Sequence, residues 1–231
     1  MRPFDYFNTL DSLTDHHPSA DKLLSAAAAR DVNALQAMSR LWLSEGIPFA
    51  FKDRPGTYEA VRIWLSHRLG VQAKEVTIIG SGRQGFSLSP DQNIKRPFGA
   101  HSDLDFTIIS QVLFQRVRDA LELWMNDYDS ELIEPRNNME RGFWDENRKS
   151  CASGLKRGFI DPYKIPLFDR YPEAQKVAQA MYLTHEKLKI TQGGPIVRKA
   201  SLRIYRDWDS FIRQMAMNLE AATKYSAKKL N

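Results

Sequence analysis

The sequence predicts an α/β (α+β) fold, a small mixed sheet with flanking N- and C-terminal helices, on three observations. Two short β-branched runs, Val76-Thr77-Ile78-Ile79 and Leu104-Asp105-Phe106-Thr107-Ile108-Ile109, have the length and composition of buried strands. Long stretches on either side of them repeat their apolar residues at helical spacing. The chain holds no internal repeat or low-complexity tract, so helices packed on a small sheet are the economical architecture.

Each element follows from a local pattern. Between residues 21 and 44, Leu23, Leu24, Ala27, Ala28, Leu35, Met38, Leu41 and Trp42 recur mostly at steps of three, four and seven, and Asp31 and Asn33 divide the stretch into two helices. Gly46, Pro48, Pro55 and Gly56 mark a loop around Phe49 and Phe51. Thr57 then opens a helix with core face Tyr58, Val61, Trp64, Leu65 and Leu69, which Gly70 ends. The first strand, 76–79, stops at Gly80, and residues 90–100 read as an exposed loop before the second strand, 104–109. Val112, Leu113, Val117, Leu121, Leu123 and Trp124 form an amphipathic helix with carboxylates on its outer side. Residues 137–157 are charged and poor in branched apolar residues, an irregular or helical surface excursion. Gly158-Phe159-Ile160-Asp161, closed by Pro162, is the candidate third strand. A helix over 172–188, a break at Gln192-Gly193-Gly194-Pro195 and a last amphipathic helix over 201–225 complete the chain. The expected organisation is an N-terminal helical segment (1–56), a core (57–170) and a C-terminal helical segment (171–231).

Composition narrows the function classes. The 231 residues, 42% hydrophobic, are enough for one substantial core. A single cysteine, Cys151, excludes a disulfide framework and a Cys-rich zinc site and fits a reducing compartment, so a cytoplasmic location is expected. Residues 1–14 carry Asp5 and Asp11 instead of a basic-then-apolar leader, and no stretch approaches the roughly 20 apolar residues that span a bilayer, so no membrane partner is expected. Thirty-three Lys and Arg against 28 Asp and Glu give a formal charge of +5. That excess suits polyanionic ligands such as triphosphates or nucleic acid; a solvated basic surface is the plainer reading.

The chemistry concentrates at two places. Gly80-Ser81-Gly82 follows a buried strand where a helix should begin, and backbone amides at such a turn can cradle a phosphate. Ser102-Asp103-Leu104-Asp105-Phe106 opens the next strand, and strand alternation puts Asp103 and Asp105 on one face. Two adjacent carboxylates repel each other unless a divalent cation lies between them, and Mg²⁺ takes carboxylate oxygens together with phosphate and water. Arg83 stands in the turn and suits a phosphate clamp, while Lys95, Arg96, Lys156, Arg157 and Lys164 read equally as clamps or as solvated charges. His101 reads as a surface histidine, and Tyr205, Trp208 and Phe211 as core packing in preference to base stacking.

Gly80-Ser81 at a strand end, followed by an Asp-x-Asp that starts the next strand, resembles the signature of DNA polymerase β-like nucleotidyltransferases over roughly residues 58–166. Trp64 before the turn and Ser87 after it look most like small stand-alone bacterial members found in phage-defence and toxin-type operons. The resemblance implies a polymerase β-like core in which Gly80 and Ser81, with Gly82, Arg83 and Ser87 beside them, bind a nucleoside triphosphate. It implies further that Asp103, Asp105 and a third acid, assigned to Asp161, hold Mg²⁺ (or Mn²⁺) and activate a hydroxyl. Two departures stand out: the gap from Ser81 to Asp103 is longer than usual, with 90–100 as the insertion, and Pro162 makes Asp161 equally a turn residue, with Glu131 and Glu134 next in line. The implied reaction moves a nucleoside monophosphate from an NTP or dNTP to a hydroxyl on a nucleotide, a nucleic-acid 3′ end or a protein. A nucleotide or oligonucleotide signal in bacterial anti-phage defence is the expected product. The alternative is a catalytically weak nucleotide- or nucleic-acid-binding sensor acting through a protein partner of the same operon.

Overall fold

The computed structural model of the chain describes residues 10–28 and 31–230. Asp5 of the N-terminal reading, and residues 29 and 30 within the first helical stretch, lie outside the described residues. The helices are α1 (Ala20–Ala27), α2 (Val32–Leu41), α3 (Pro55–Leu69), α4 (Ser81–Gln84), α5 (Gln111–Asp129), α6 (Asn138–Arg157), α7 (Pro172–Ile190) and α8 (Trp208–Leu230). The strands are β1 (Val76–Ile79), β2 (Asp103–Ile109), β3 (Phe159–Ile160) and β4 (Lys199–Tyr205).

Local chemistry sets the helix ends. The stretch divides into two helices at Asp31, as expected, because its side chain accepts from Ala34 N at 2.8 Å and caps α2. Asn137 caps α6 in the same way through Glu140 N, and Gly158, at φ 81°, closes it in the left-handed region. The charged stretch 137–157 is therefore a regular helix, buried only along Trp144, Cys151 and Gly154.

The sheet has the order β1-β2-β4-β3. β1 runs antiparallel to β2, β2 parallel to β4, and β4 antiparallel to β3, so the sheet is mixed. The helix expected over 201–225 starts only at Trp208, because its first five residues belong to β4. Lys199-Ala200-Ser201-Leu202-Arg203-Ile204-Tyr205 alternates in period two, with Ala200, Leu202 and Ile204 buried. The segment after residue 170 is thus no appendage, since it supplies a central strand.

Both sheet faces are covered, one of them incompletely. Val76, Ile78, Leu104, Phe106, Ile108, Leu202 and Ile204 pack in one core with Leu65 and Leu69 of α3, Leu113, Val117 and Trp124 of α5, and Val177 and Met181 of α7. Each such large side chain contributes about 1.5–3 kcal/mol on burial. On the opposite face Ile109, Tyr205 and Phe159 pack with Leu23 of α1, Leu35 and Met38 of α2, and Phe211, Met215 and Leu219 of α8. These residues cover the distal ends of β2 and β4. Their beginnings, with Asp103, Asp105 and Ser201 half-buried and Lys199 exposed, stay open. Among the described residues no helix is long and apolar enough to cross a membrane.

Candidate functional site

The register of β2 against β4 decides which side chains meet. Asp103 lies opposite Lys199 and Asp105 opposite Ser201, and residues paired in this way share a face. Ser201 Oγ donates to Asp105 Oδ1 at 2.5 Å. Arg198 grips Asp103 with two hydrogen bonds, Nε to Oδ1 at 2.8 Å and Nη2 to Oδ2 at 3.0 Å, and Lys199 Nζ stands 3.5 Å from Oδ2.

The two carboxylates are therefore electrostatically unlike. Partial burial works against the charge of Asp103, but the Arg198 hydrogen bonds and the Lys199 charge outweigh it and hold its carboxyl below the usual range. Burial pushes the Asp105 carboxyl up; the Ser201 hydrogen bond opposes this only in part, and repulsion from Asp103 adds to it. Asp105 Oδ2 accepts no hydrogen bond from any described residue.

Gly80 closes the site from the β1 side. Its backbone, at φ 67° and ψ −153°, occupies a region reserved in practice for glycine. A Cβ there would stand 3.2 Å from Asp105 Oδ2, so the turn presses against the free oxygen of the carboxylate. Ser81 follows at half-exposure as the first residue of α4. Gly82 has a different task from the phosphate contact expected of it. A Cβ on it would meet Leu104 Cδ1 at 2.9 Å and Ile78 Cγ2 at 3.2 Å, so this glycine seats α4 on β1 and β2.

Three residues expected at the site are not brought to the acid pair. Arg83 is 2% exposed; it donates from Nε to Trp42 O at 3.1 Å and from Nη1 to Gly46 O at 2.8 Å, and burial lowers its pKa to about 10. Helical residues turn about 100° per step, so Arg83 leaves Ser81 behind and points to the interior. Ser87 lies in the loop beyond α4, where its Oγ accepts from Ser89 N at 3.1 Å and its backbone pairs with Lys95 and Arg96. Asp161 follows β3 and is held by Arg203, Nε to Oδ1 at 2.7 Å and Nη2 to Oδ2 at 3.1 Å. The expected third strand is thus the far edge of the sheet, and β4 stands between it and β2. Two strand spacings, about 10 Å, separate them. Glu131 and Glu134 are exposed in the turn after α5. Among the described residues no three His, Cys, Asp or Glu side chains converge to hold a metal.

The structure adds residues that the motifs did not reveal: Arg198, Lys199, Ser201 and Arg203 of the β4 region, and Tyr163. Tyr163, exposed after β3, donates from its OH to Ala200 O at 3.3 Å. The period-two alternation of residues 199–205 was the available signal for the β4 group. Two carboxylates with an unengaged oxygen toward Gly80 are hard donors that could hold one divalent cation shared with phosphate oxygens, once exposed Arg198 yields Asp103. No family model, curated protein or solved structure matches the chain.

Proposed function

We propose that the chain is a Mg²⁺-dependent nucleotidyltransferase of the polymerase β-like type, moving a nucleoside monophosphate from an NTP or dNTP to a hydroxyl acceptor and releasing pyrophosphate. The carrying observation is the meeting of the Gly80 turn with Asp105 Oδ2 on the open end of the sheet, beside Asp103. A bound divalent cation supplies charge neutralisation of the phosphates and fixes their orientation. Gly80 admits a phosphate close to the backbone, and Ser81 offers an amide and a hydroxyl as donors. Asp103 and Asp105 hold the cation, and Ser201 fixes the rotamer of Asp105. Arg198 and Lys199, freed from Asp103, become counter-charges for a polyphosphate at the strand ends. The product suggested by the sequence resemblance is a nucleotide or oligonucleotide signal in anti-phage defence.

Ser201 favours a second reading. It occupies the place beside Asp105 where a third carboxylate would complete a two-metal set, which suits a sensor that binds nucleotide and acts through a partner protein. Incubation with each labelled NTP and dNTP plus Mg²⁺ or Mn²⁺ separates the two. Pyrophosphate and a new product, both lost in Asp105→Asn, support the transferase; metal-dependent binding of triphosphate with no pyrophosphate selects the sensor.

A further inference from the structure

Beyond Ser201 on the same sheet face, a cleft of about 320 Å³ opens between α6, β4 and α8. Arg157, Lys164 and Arg203 line it against a single carboxylate, Asp161. Neutral partners help to fix these cations. The Arg203 and Arg157 guanidiniums lie over the Phe159 ring at 4.6 and 4.7 Å from its centre. Arg157 Nη1 donates to Gln214 Oε1 at 3.4 Å, and Lys164 Nζ to Ser150 Oγ at 2.8 Å. Asp161 is bonded by Arg203 and pairs with Lys164 at 3.9 Å, so three cations share one carboxylate and the cleft keeps a net positive charge, with Arg157 making no ion pair to a described residue. Cations held in place and only partly neutralised are a ready receptor for a phosphate, whose oxygens accept several charge-assisted hydrogen bonds at once. The hydroxyl of Ser153, exposed on α6, faces the same space.

Position gives the cleft a role. Arg203 and Ser201 are two residues apart on one face of β4, about 7 Å along the strand. A phosphate beside Arg203 therefore lies one nucleotide's reach from the acid pair, as the 5′-phosphate of a nucleotide lies from its own 3′-hydroxyl. We infer that this cleft binds the phosphate of the acceptor, and that the acceptor is a phosphorylated nucleotide or oligonucleotide end instead of a protein hydroxyl. The acceptor role rests on the nucleotidyltransferase reading; the phosphate site does not.

Titration of the intact protein with adenosine 5′-monophosphate and with adenosine, in EDTA, tests the site apart from any transfer. The monophosphate should bind at least roughly tenfold more tightly, the scale of one or two charge-assisted bonds. The preference should vanish in Arg157→Gln/Lys164→Gln, and also in Ser153→Glu, which adds a carboxylate to the cleft from an exposed helix position. With Mg²⁺ and a non-hydrolysable ATP analogue present, affinity for the monophosphate should hold within about twofold. Equal binding of the two ligands, a preference that survives in both variants, or displacement by the analogue would overturn the site. Failure of the transferase reading shows separately, as analogue affinity that ignores Asp105→Asn while the monophosphate preference stands.

Discussion

Ser201 Oγ donates to Asp105 Oδ1 across the parallel β2/β4 pair, so a hydroxyl, and not the third acid that the resemblance implied at Asp161, stands next to Asp105. That exchange leaves two carboxylates of opposite electrostatic character, and it makes their replacement by amides informative.

Asp105→Asn should stabilise the protein at neutral pH without metal, while Asp103→Asn should not. The Asp105 carboxyl lies above its ordinary range because burial disfavours the charge, so the unfolded chain loses that proton first. Folding stability from this group is present at low pH and falls as pH rises through its folded value. Asp103 has the opposite sign: its carboxyl is held down by Arg198 and Lys199, and its contribution is lost as pH falls. Thermal unfolding between pH 3 and 8 should show a Tm gain of about 1–3 °C for Asp105→Asn near pH 7, shrinking in acid. A loss at pH 7 contradicts the assignment.

Gly80→Ala should cost about 1–3 kcal/mol, because the φ and ψ at this position suit glycine alone. Its Cβ would also press on Asp105 Oδ2 at 3.2 Å, so Mg²⁺-dependent affinity for a non-hydrolysable triphosphate should fall at least roughly tenfold. Urea unfolding and calorimetric titration read the two effects separately. Unchanged affinity would put the phosphates elsewhere.

Arg83→Ala should destabilise by about 1–3 kcal/mol, since a buried side chain and its two hydrogen bonds, to Trp42 O and Gly46 O, are lost together. Triphosphate affinity of the folded fraction should stay within about twofold. A selective loss of affinity at full stability would return Arg83 to the phosphate site.

Asp161→Asn separates a structural ion pair from a catalytic acid. The variant leaves Arg203 without its charged partner and should lose roughly 1–3 kcal/mol of stability. Nucleotidyl transfer should remain within a few fold of wild type, since β4 lies between Asp161 and Asp105. Affinity for adenosine 5′-monophosphate should rise, because the one carboxylate opposing the cleft's cations is gone. A hundredfold rate loss would instead make Asp161 the general base.

Patterns of short range were legible in the chain. The strand alternation of Asp103-Leu104-Asp105 put two carboxylates on one face, Gly70 and Gly80 marked element ends, and helical spacing located α3, α5 and α7, because each depends on neighbours within about one turn or one pleat. β4 could have been read from its alternation, but its charged residues and the aromatic residues after it match helical spacing as well over so short a run. Strand order was beyond any local pattern. Whether residues 159–160 or 199–205 lie beside β2 depends on which hydrophobic faces close together over α3, α5 and α7, and a pairing between residues 96 apart leaves no periodic trace. The residue types at the candidate site were thus set by the sequence alone; that Ser201, and not Asp161, stands next to Asp105 was decided by the packing of the sheet.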